Sequence, residues 1–311
     1  MSFLDSSYVD MYMSSYAFWA NTVSSNSALI LTIIALAVVA LTRLTVRTIT
    51  SLQRGKKHRE GKVRVLKLSS EEDVAAALAE YVADLSAKFI KENGSFSVVL
   101  SGGTLIDSLR KLLEPPYINS IDWSKWLIFF LDERVVPLNH PFSNYKLASD
   151  GFLSKVPIPE SNVFAINPKL SPEQAANDYE KRLKQLVDNG KLKKSGEFAN
   201  FDLMLLGMGP DGHVASLFCW HYQRFEKTKW VTFVMDSPKP PSRRITFTFP
   251  LINAASEIAM VVTGDEVADA VKTALMKTSD SCCFPLPVEK VSPVGKLTWF
   301  LDNAAASGLS R

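Results

Sequence analysis

Cysteine is scarce in this chain of 311 residues, with three in all: Cys219, Cys282 and Cys283. An odd count that includes an adjacent pair builds neither a disulfide framework nor a zinc spacing, and it suits a reducing compartment. Acidic residues are missing from one whole stretch. Between Asp10 and Glu60 there is none, while Arg43, Arg47, Arg54, Lys56, Lys57 and Arg59 all fall there. Without that segment the formal net charge of +3 falls to near neutral or slightly acidic, which excludes a general nucleic-acid-binding surface on the remainder. Internal repeats and low-complexity tracts are absent as well.

Also lacking is an unbroken apolar run of the ~20 residues that a membrane-spanning helix usually needs. The nearest approach is ALILTIIALAVVAL, residues 28 to 41. It lengthens to residues 28–46 if Thr42 to Val46 join it with Arg43 snorkelling. Three readings stay open. As a membrane anchor it would leave the bulk of the chain on the cytoplasmic side, because the basic cluster follows it. As a plastid transit segment it has the many Ser and Thr and the few acids, but the apolar run is unusual. As a buried helix or an untidy extension it has no targeting role. A long, acidic n-region argues against a cleaved secretory signal, and the last residues, Gly-Leu-Ser-Arg, are not a peroxisomal Ser-Lys-Leu tail. On each reading, residues 1–60 are an extension and residues 61–311 the catalytic domain. The expected location is cytosolic with membrane attachment through residues 28–46; the alternative is the plastid.

What is present is a chain with 47% hydrophobic residues that can bury a sizeable core. From Val63 onward, short apolar runs alternate with helical segments, which predicts an α/β domain: an open, mostly parallel twisted sheet flanked by helices. Lys62 to Leu68 reads as a strand. Ser70 and the acids after it read as a helix start, with Val74, Leu78, Val82, Leu85 and Phe89 at helical spacing up to Asn93-Gly94. Phe96 to Leu100 is a strand feeding the turn SGGT, and Ile106 to Leu113 a helix stopped by Pro115-Pro116. Trp126 to Leu131 is a strand ending on Asp132-Glu133-Arg134, at the sheet edge where ligands bind in such folds. Helices are expected at Asn144 to Leu153, Glu173 to Val187 and Glu266 to Met276. Strands are expected at 201–206, 230–235, 244–249 and 258–263, with a final edge strand at Trp299 to Leu301.

The stretch LMLLGMGPDGHVASLF (203–218) admits two readings. Gly207, Gly209 and Gly212 have G-x-G-x-x-G spacing, and Asp236 stands where a ribose-binding acid belongs. Against a dinucleotide cradle, Asp211 and His213 occupy the place of the phosphates, and too little chain follows for a second nucleotide half. The alternative is that the glycines turn the chain from strand into helix and present His213 at the helix N-terminus, where an imidazole tends to stay neutral and fit for general-base work. Asp211 would hold the ring or position a water. Ser101, Gly102, Gly103 and Thr104 form the kind of backbone nest that takes up a phosphate. Arg134 supplies a forked donor, and one of Arg243 and Arg244, after the rigid segment SPKPPS, points to the same cleft. A phosphate nest, arginines and a poised His at one sheet edge suggest hydrolysis or isomerisation of a small phosphorylated substrate.

Five segments carry a resemblance: VVLSGGTLIDSLRKLL (98–113), FFLDERVVPLNHPFSNYKL (129–147), FDLMLLGMGPDGHVASLF (201–218), DSPKPPSRRITFTFPLINAA (236–255) and VSPVGKLTWFLDNAA (291–305). In them the chain resembles the 6-phosphogluconolactonases of plant type, over residues 62 to 305. The resemblance implies a fold shared with glucosamine-6-phosphate isomerase/deaminase and hydrolysis of 6-phospho-D-glucono-1,5-lactone to 6-phosphogluconate in the oxidative pentose phosphate pathway, with no metal and no cofactor. It implies His213 as the base that activates water, with Asp211 and Gly212 helping to place it. It implies Ser101, Gly102, Gly103, Thr104, Asp132, Arg134, Asn144, Gly209, Gly212 and Arg244 as the residues that hold the phosphosugar or shape its pocket. The partner is a small phosphosugar lactone, not nucleic acid, and the oligomeric state is not legible. Two departures stand out: Cys219-Trp220 follow SLF, and Val267 occupies the place after VVTG where the family commonly has a phosphate-binding Lys. The alternatives are a sugar-phosphate isomerase/deaminase on the same fold and a membrane-tethered sugar-phosphate-binding protein with weakened catalysis.

Overall fold

The computed structural model describes residues 63–276 and 285–309. The expected N-terminal extension with its run at 28–46, and the pair Cys282-Cys283, lie outside the described residues. Strand β1 (Val63–Leu68) is followed by helix α1 (Glu71–Asn93). Ser70 caps that helix by accepting from the Asp73 amide, three acids sit at its positive end, and Gly94 closes it at φ 78° with its N–H on the Ile90 carbonyl. Its buried face is the one read from the spacing: Val74, Leu78, Val82, Leu85 and Phe89.

Strands β2 (Phe96–Leu100) and β3 (Trp126–Phe130) are buried at every residue, as strands covered on both faces must be. Between them lie two single-turn helices, α2 (Leu105–Ser108) and α3 (Tyr117–Ser120). The expected helix over Ile106 to Leu113 is therefore divided: its second half, Arg110–Leu113, tightens into a 3₁₀ turn. Next come β4 (Asp132–Arg134), α4 (Asn144–Gly151), β5 (Val163–Phe164) and α5 (Pro172–Asp188). A reciprocal capping box of Ser171 and Gln174 starts α5. The hairpin β6 (Lys193–Ser195) and β7 (Phe198–Asn200) leads to β8 (Leu203–Leu206), β9 (Val231–Val234) and β10 (Arg244–Phe247). The described chain closes with α6 (Phe249–Asn253), β11 (Glu257–Val262), α7 (Ala268–Met276) and β12 (Lys296–Asp302).

Seven strands form one sheet in the order β1-β12-β11-β8-β2-β3-β5, and every neighbouring pair in it is parallel. Alternate side chains of each strand feed two separate cores. Val98, Leu100, Ile128, Phe130, Leu203 and Leu205 pack on the α1 side. Val99, Phe129, Met204 and Leu206 pack on the other, with Tyr179 and Leu183 of α5. Above the carboxyl ends of the parallel strands stands a small antiparallel sheet, β4-β10-β9.

One expectation is overturned here. The segment around Trp299 is not an edge strand: β12 runs seven residues and pairs with β1 on one side and β11 on the other. Its interior position makes its entry tight. Gly295 passes so close to the Ser256 backbone that a Cβ would overlap the Ser256 carbonyl, which accepts from the Lys296 amide at 3.0 Å. Because a backbone carbonyl cannot step aside as a side-chain tip can, Gly295→Ala is expected to destabilise the fold by about 1–3 kcal/mol or more. Urea unfolding of the two proteins side by side measures it, and equal midpoints would show that the strand entry is slack.

Candidate active site

Strand β8 delivers the glycine loop to the carboxyl edge of the sheet. The chain then folds back on itself: Gly209 donates to the His213 carbonyl at 3.0 Å, and Gly212 to the Gly209 carbonyl at 2.9 Å. Gly212 takes a left-handed φ of 72°. At Gly209 any Cβ would collide with the His213 ring and the Asp211 carboxylate. The glycine spacing thus serves the close approach of an imidazole.

No helix follows the loop, contrary to expectation. Ala215 has φ 53°, and Val214 pairs with Leu217 in an isolated bridge, so consecutive right-handed helical residues never form. His213 is held by contacts rather than by a helix dipole. Its Nδ1 lies 2.5 Å from Asp211 Oδ1, and its ring packs tilted against that of Phe218, centroids 4.8 Å apart. Burial works against the Asp211 carboxylate, yet the hydrogen bond and charge of His213 hold its pKa below the ordinary value. With Asp211 accepting from Nδ1–H, the neutral ring keeps its lone pair on Nε2.

His213 lies on the wall of a cleft of about 270 Å³ that is also lined by Ser101, Gly102, Gly103, Thr104, Asp132, Arg134, Asn144, Gly209 and Arg244. Ten of the sequence-selected residues thus meet in one place. Two do not line it: Asp211 stands behind the imidazole, and Gly212 packs against Leu286 while its carbonyl accepts from Val288. Asp236, the acid a dinucleotide would need, is exposed and lies 4.0 Å from His221. Val267 lines the cleft and brings no charge to it. Cys219 follows the loop, its Sγ donating to the Asp211 carbonyl at 3.3 Å. Among the described residues no group of three His, Cys, Asp or Glu stands together as metal ligands do.

Beneath the cleft runs a buried polar network. Glu133 is 1% exposed, and its carboxylate accepts from the backbone amides of Arg134 (2.8 Å), Asn144 (2.7 Å) and Tyr145 (2.7 Å) and from Ser143 Oγ (3.2 Å). It therefore fastens the first turn of α4 to β4. Asn144, so placed, donates Nδ2 to the Asp132 carbonyl at 2.9 Å and to its carboxylate at 3.2 Å. Its Oδ1 is buried without a partner, against Gly102, where a Cβ would strike it. Asp132 also accepts from Ser216 Oγ at 2.6 Å, and that hydroxyl accepts from Arg244 Nη1 at 3.3 Å.

The structure separates the two neighbouring arginines: Arg243 is exposed, whereas Arg244 is 2% exposed and 4.0 Å from Asp132. Arg244 donates Nε to the Pro241 carbonyl (3.0 Å) and Nη2 to those of Lys239 (2.6 Å) and Pro240 (3.4 Å). Arg134 donates Nη1 to the Phe142 carbonyl at 2.8 Å, and its Nε is buried without a partner. Sequence reasoning missed Lys239, Glu133 and Ser216 as members of the site. All three sit inside the quoted motifs, but nothing in the motifs themselves says which way each side chain turns.

A family model described as glucosamine-6-phosphate isomerases/6-phosphogluconolactonase matches residues 69–299. A rice protein named probable 6-phosphogluconolactonase 4, chloroplastic, is 58% identical over 248 residues, covering 79% of this chain and 76% of its own length. An Arabidopsis thaliana protein named 6-phosphogluconolactonase 3, chloroplastic, is 55% identical over 270 residues, covering 86% and 81%. Among solved structures, the 6-phosphogluconolactonase of Thermotoga maritima is similar at 30% identity and a TM-score of 0.66, over 78% of this chain and all of its own. A monomeric glucosamine-6-phosphate deaminase shares the fold, at 21% identity and a TM-score of 0.63.

Burial pushes the Glu133 carboxyl up to about 7 from an ordinary 4.5, against the pull of its three amide donors. Between those two values the native chain keeps a proton that the unfolded chain has released, so this group favours folding most below about 4.5 and the benefit is lost as pH rises toward 7. Unfolding free energies across that window should fall with rising pH more steeply for the wild type than for Glu133→Gln, which cannot titrate. Parallel pH profiles would show that Glu133 stays ionised throughout.

Proposed function

The chain belongs to the glucosamine-6-phosphate isomerase/6-phosphogluconolactonase family, and from that premise we propose that it works as a lactonase whose attacking water is activated by His213. It hydrolyses 6-phospho-D-glucono-1,5-lactone to 6-phosphogluconate, a step of the pentose phosphate pathway. The family holds both lactonases and isomerases, and the relatives at 55–58% identity carry lactonase names. The deaminase is a likeness of fold alone.

The observation that carries the mechanism is the imidazole standing on the cleft wall with Asp211 2.5 Å behind it. A six-membered lactone is already activated toward attack, so the site needs a base, an oriented water and donors for the charge that develops on the carbonyl oxygen. In this reading Nε2 of His213 removes a proton from water as its oxygen bonds to the lactone carbonyl carbon. Asp211 holds the ring's Nδ1–H and steadies the imidazolium. When the tetrahedral intermediate collapses, the ring C–O bond breaks and the departing oxygen takes the proton from Nε2, leaving a carboxylic acid that ionises. No covalent intermediate with the protein is required. The nest at Ser101 to Thr104 and the uncommitted N–H groups of Arg134 receive the phosphosugar's anionic end.

The word chloroplastic in the names of the rice and Arabidopsis relatives supports a plastid location for this chain, with residues 1–60 as the transit segment. Among the described residues no helix is long and apolar enough to cross a membrane, and residues 28–46 lie outside them.

Turnover of freshly generated phospholactone by residues 61–311, corrected for spontaneous opening, should collapse by about 10²- to 10⁴-fold in His213→Ala. Asp211→Asn should lower kcat with little change in KM, because it disturbs the base and not the bound anion. A wild type no faster than buffer would defeat the lactonase reading. Residues 1–60 fused to a fluorescent reporter are expected to carry it into plastids of a leaf cell; retention at a cytoplasmic membrane would restore the anchor.

A further inference from the structure

Three cationic side chains line the cleft, Arg134, Lys239 and Arg244, and they differ in how much of their hydrogen-bonding capacity the protein already uses. A guanidinium has five N–H donors. Arg244 directs one from Nε, two from Nη2 and one from Nη1 to protein oxygens, which leaves one. Its charge is also answered by Asp132 at 4.0 Å, and its side chain is 3% exposed. A group so spent is poorly placed to be the main holder of a dianion. What it does hold is the loop between β9 and β10, through three successive carbonyls, those of Lys239, Pro240 and Pro241.

That loop presents Lys239 with a fixed base and a loose tip. Ser237 N donates to the Ser242 carbonyl at 3.1 Å and closes the loop. The Lys239 carbonyl accepts from Ser237 Oγ at 2.9 Å and from Arg244 Nη2 at 2.6 Å, and its amide donates to Ser237 Oγ at 3.3 Å. The ammonium, by contrast, has no hydrogen bond and no ion pair among the described residues; it lines the cleft, and at longer range its charge is felt by the Asp211 carboxylate. Val267, which lines the same cleft, offers no cation.

We propose that Lys239 is a substrate-binding residue that pairs with the phosphate of the phosphosugar, and that Arg244 is a positioning residue that clasps the loop carrying it. The assignment rests on the lactonase reading for the identity of the substrate. An ammonium on a four-carbon stem is a compact charge that follows a phosphate without demanding one orientation. The same freedom argues against an oxyanion-stabilising role, since donors for a developing oxyanion act by being fixed before the reaction. Lys239 therefore binds ground state and transition state alike, and its loss appears in KM and in product affinity rather than in kcat.

The test uses Lys239→Met and Lys239→Arg, with steady-state kinetics on 6-phosphogluconolactone and on D-glucono-1,5-lactone, and calorimetric binding of 6-phosphogluconate. Lys239→Met is expected to raise KM for the phospholactone and weaken 6-phosphogluconate binding by about 10- to 100-fold, the worth of a hydrogen bond to a charged group. Its kcat should stay within about 3-fold of the wild type. Lys239→Arg should restore most of the affinity, and the unphosphorylated lactone should not distinguish the three proteins. Unchanged affinity in Lys239→Met, an equal loss on both lactones, or a fall in kcat at constant KM would each overturn the assignment. The two readings fail separately. Binding of 6-phosphogluconate that depends on Lys239 without turnover would sink the lactonase reading alone, and turnover with binding indifferent to Lys239 would sink this one alone.

Discussion

The burial of the Arg244 guanidinium is the constraint on which the cleft depends. A cation taken out of water is costly unless its charge and its N–H groups are all answered. Here the answers come from four separate parts of the chain: the carbonyls of residues 239 to 241, the Ser216 hydroxyl on the loop after His213, Asp132 on β4, and, through Asp132, Asn144 on α4. Desolvation draws the Arg244 pKa down while Asp132 and Glu133 raise it. Once the charge is in place, none of these elements can drift without leaving a buried polar group unsatisfied, so one ionic network sets the spacing of loops that have no secondary structure to hold them.

The parallel sheet was readable in the sequence because strands buried on both faces have a composition that surface strands lack. WLIFF and LMLL are apolar at every position and FSVVL at all but Ser97, and each became a strand of the sheet interior. Helix α5 was readable for the opposite reason, a clean amphipathic period after a Ser-Pro start. The misread β12 shows where the method stops. KLTWFLD carries charge at both ends and looks like an edge, but whether a strand is interior depends on which other strands choose to flank it, and no local pattern records that. The short strand β4 was hidden likewise: DER reads as the charged end of the strand before it, and its three residues become a separate strand by pairing with β10, more than a hundred positions away.

The same limit divides the site. The residue types and their sheet edge were legible, since a His after clustered glycines, a Ser-Gly-Gly-Thr turn and an Arg at a strand end each carry their chemistry in their identity. Direction was not. Arg243 and Arg244 are equal in the sequence, and the alternation of a strand that starts between them sends one into solvent and buries the other. Glu133 stood in the sequence only as one of three charges at a strand's end, and it is the buried acceptor that seats α4. The expectation that a helix dipole keeps His213 neutral failed because a single left-handed residue, Ala215, prevents the helix; strain of that kind next to a functional loop is common and has no sequence signature in an alanine.

Two charge systems coexist in the cleft without merging, and their separation follows from what each must do. The Asp211–His213 pair stays partly exposed, with side-chain exposures of 44% and 14%, because a base that activates water must meet water. The Asp132–Arg244 pair is dry, at 6% and 3%, because its work is to keep geometry fixed, and a low dielectric makes its hydrogen bonds stiff. The Ser216 hydroxyl sits between the two buried charges, donating to Asp132 and accepting from Arg244, so that the acid is satisfied within the network. Among the described residues the only carboxylate hydrogen-bonded to His213 is the one on its own loop, two residues away, whose reach the Gly209 turn sets.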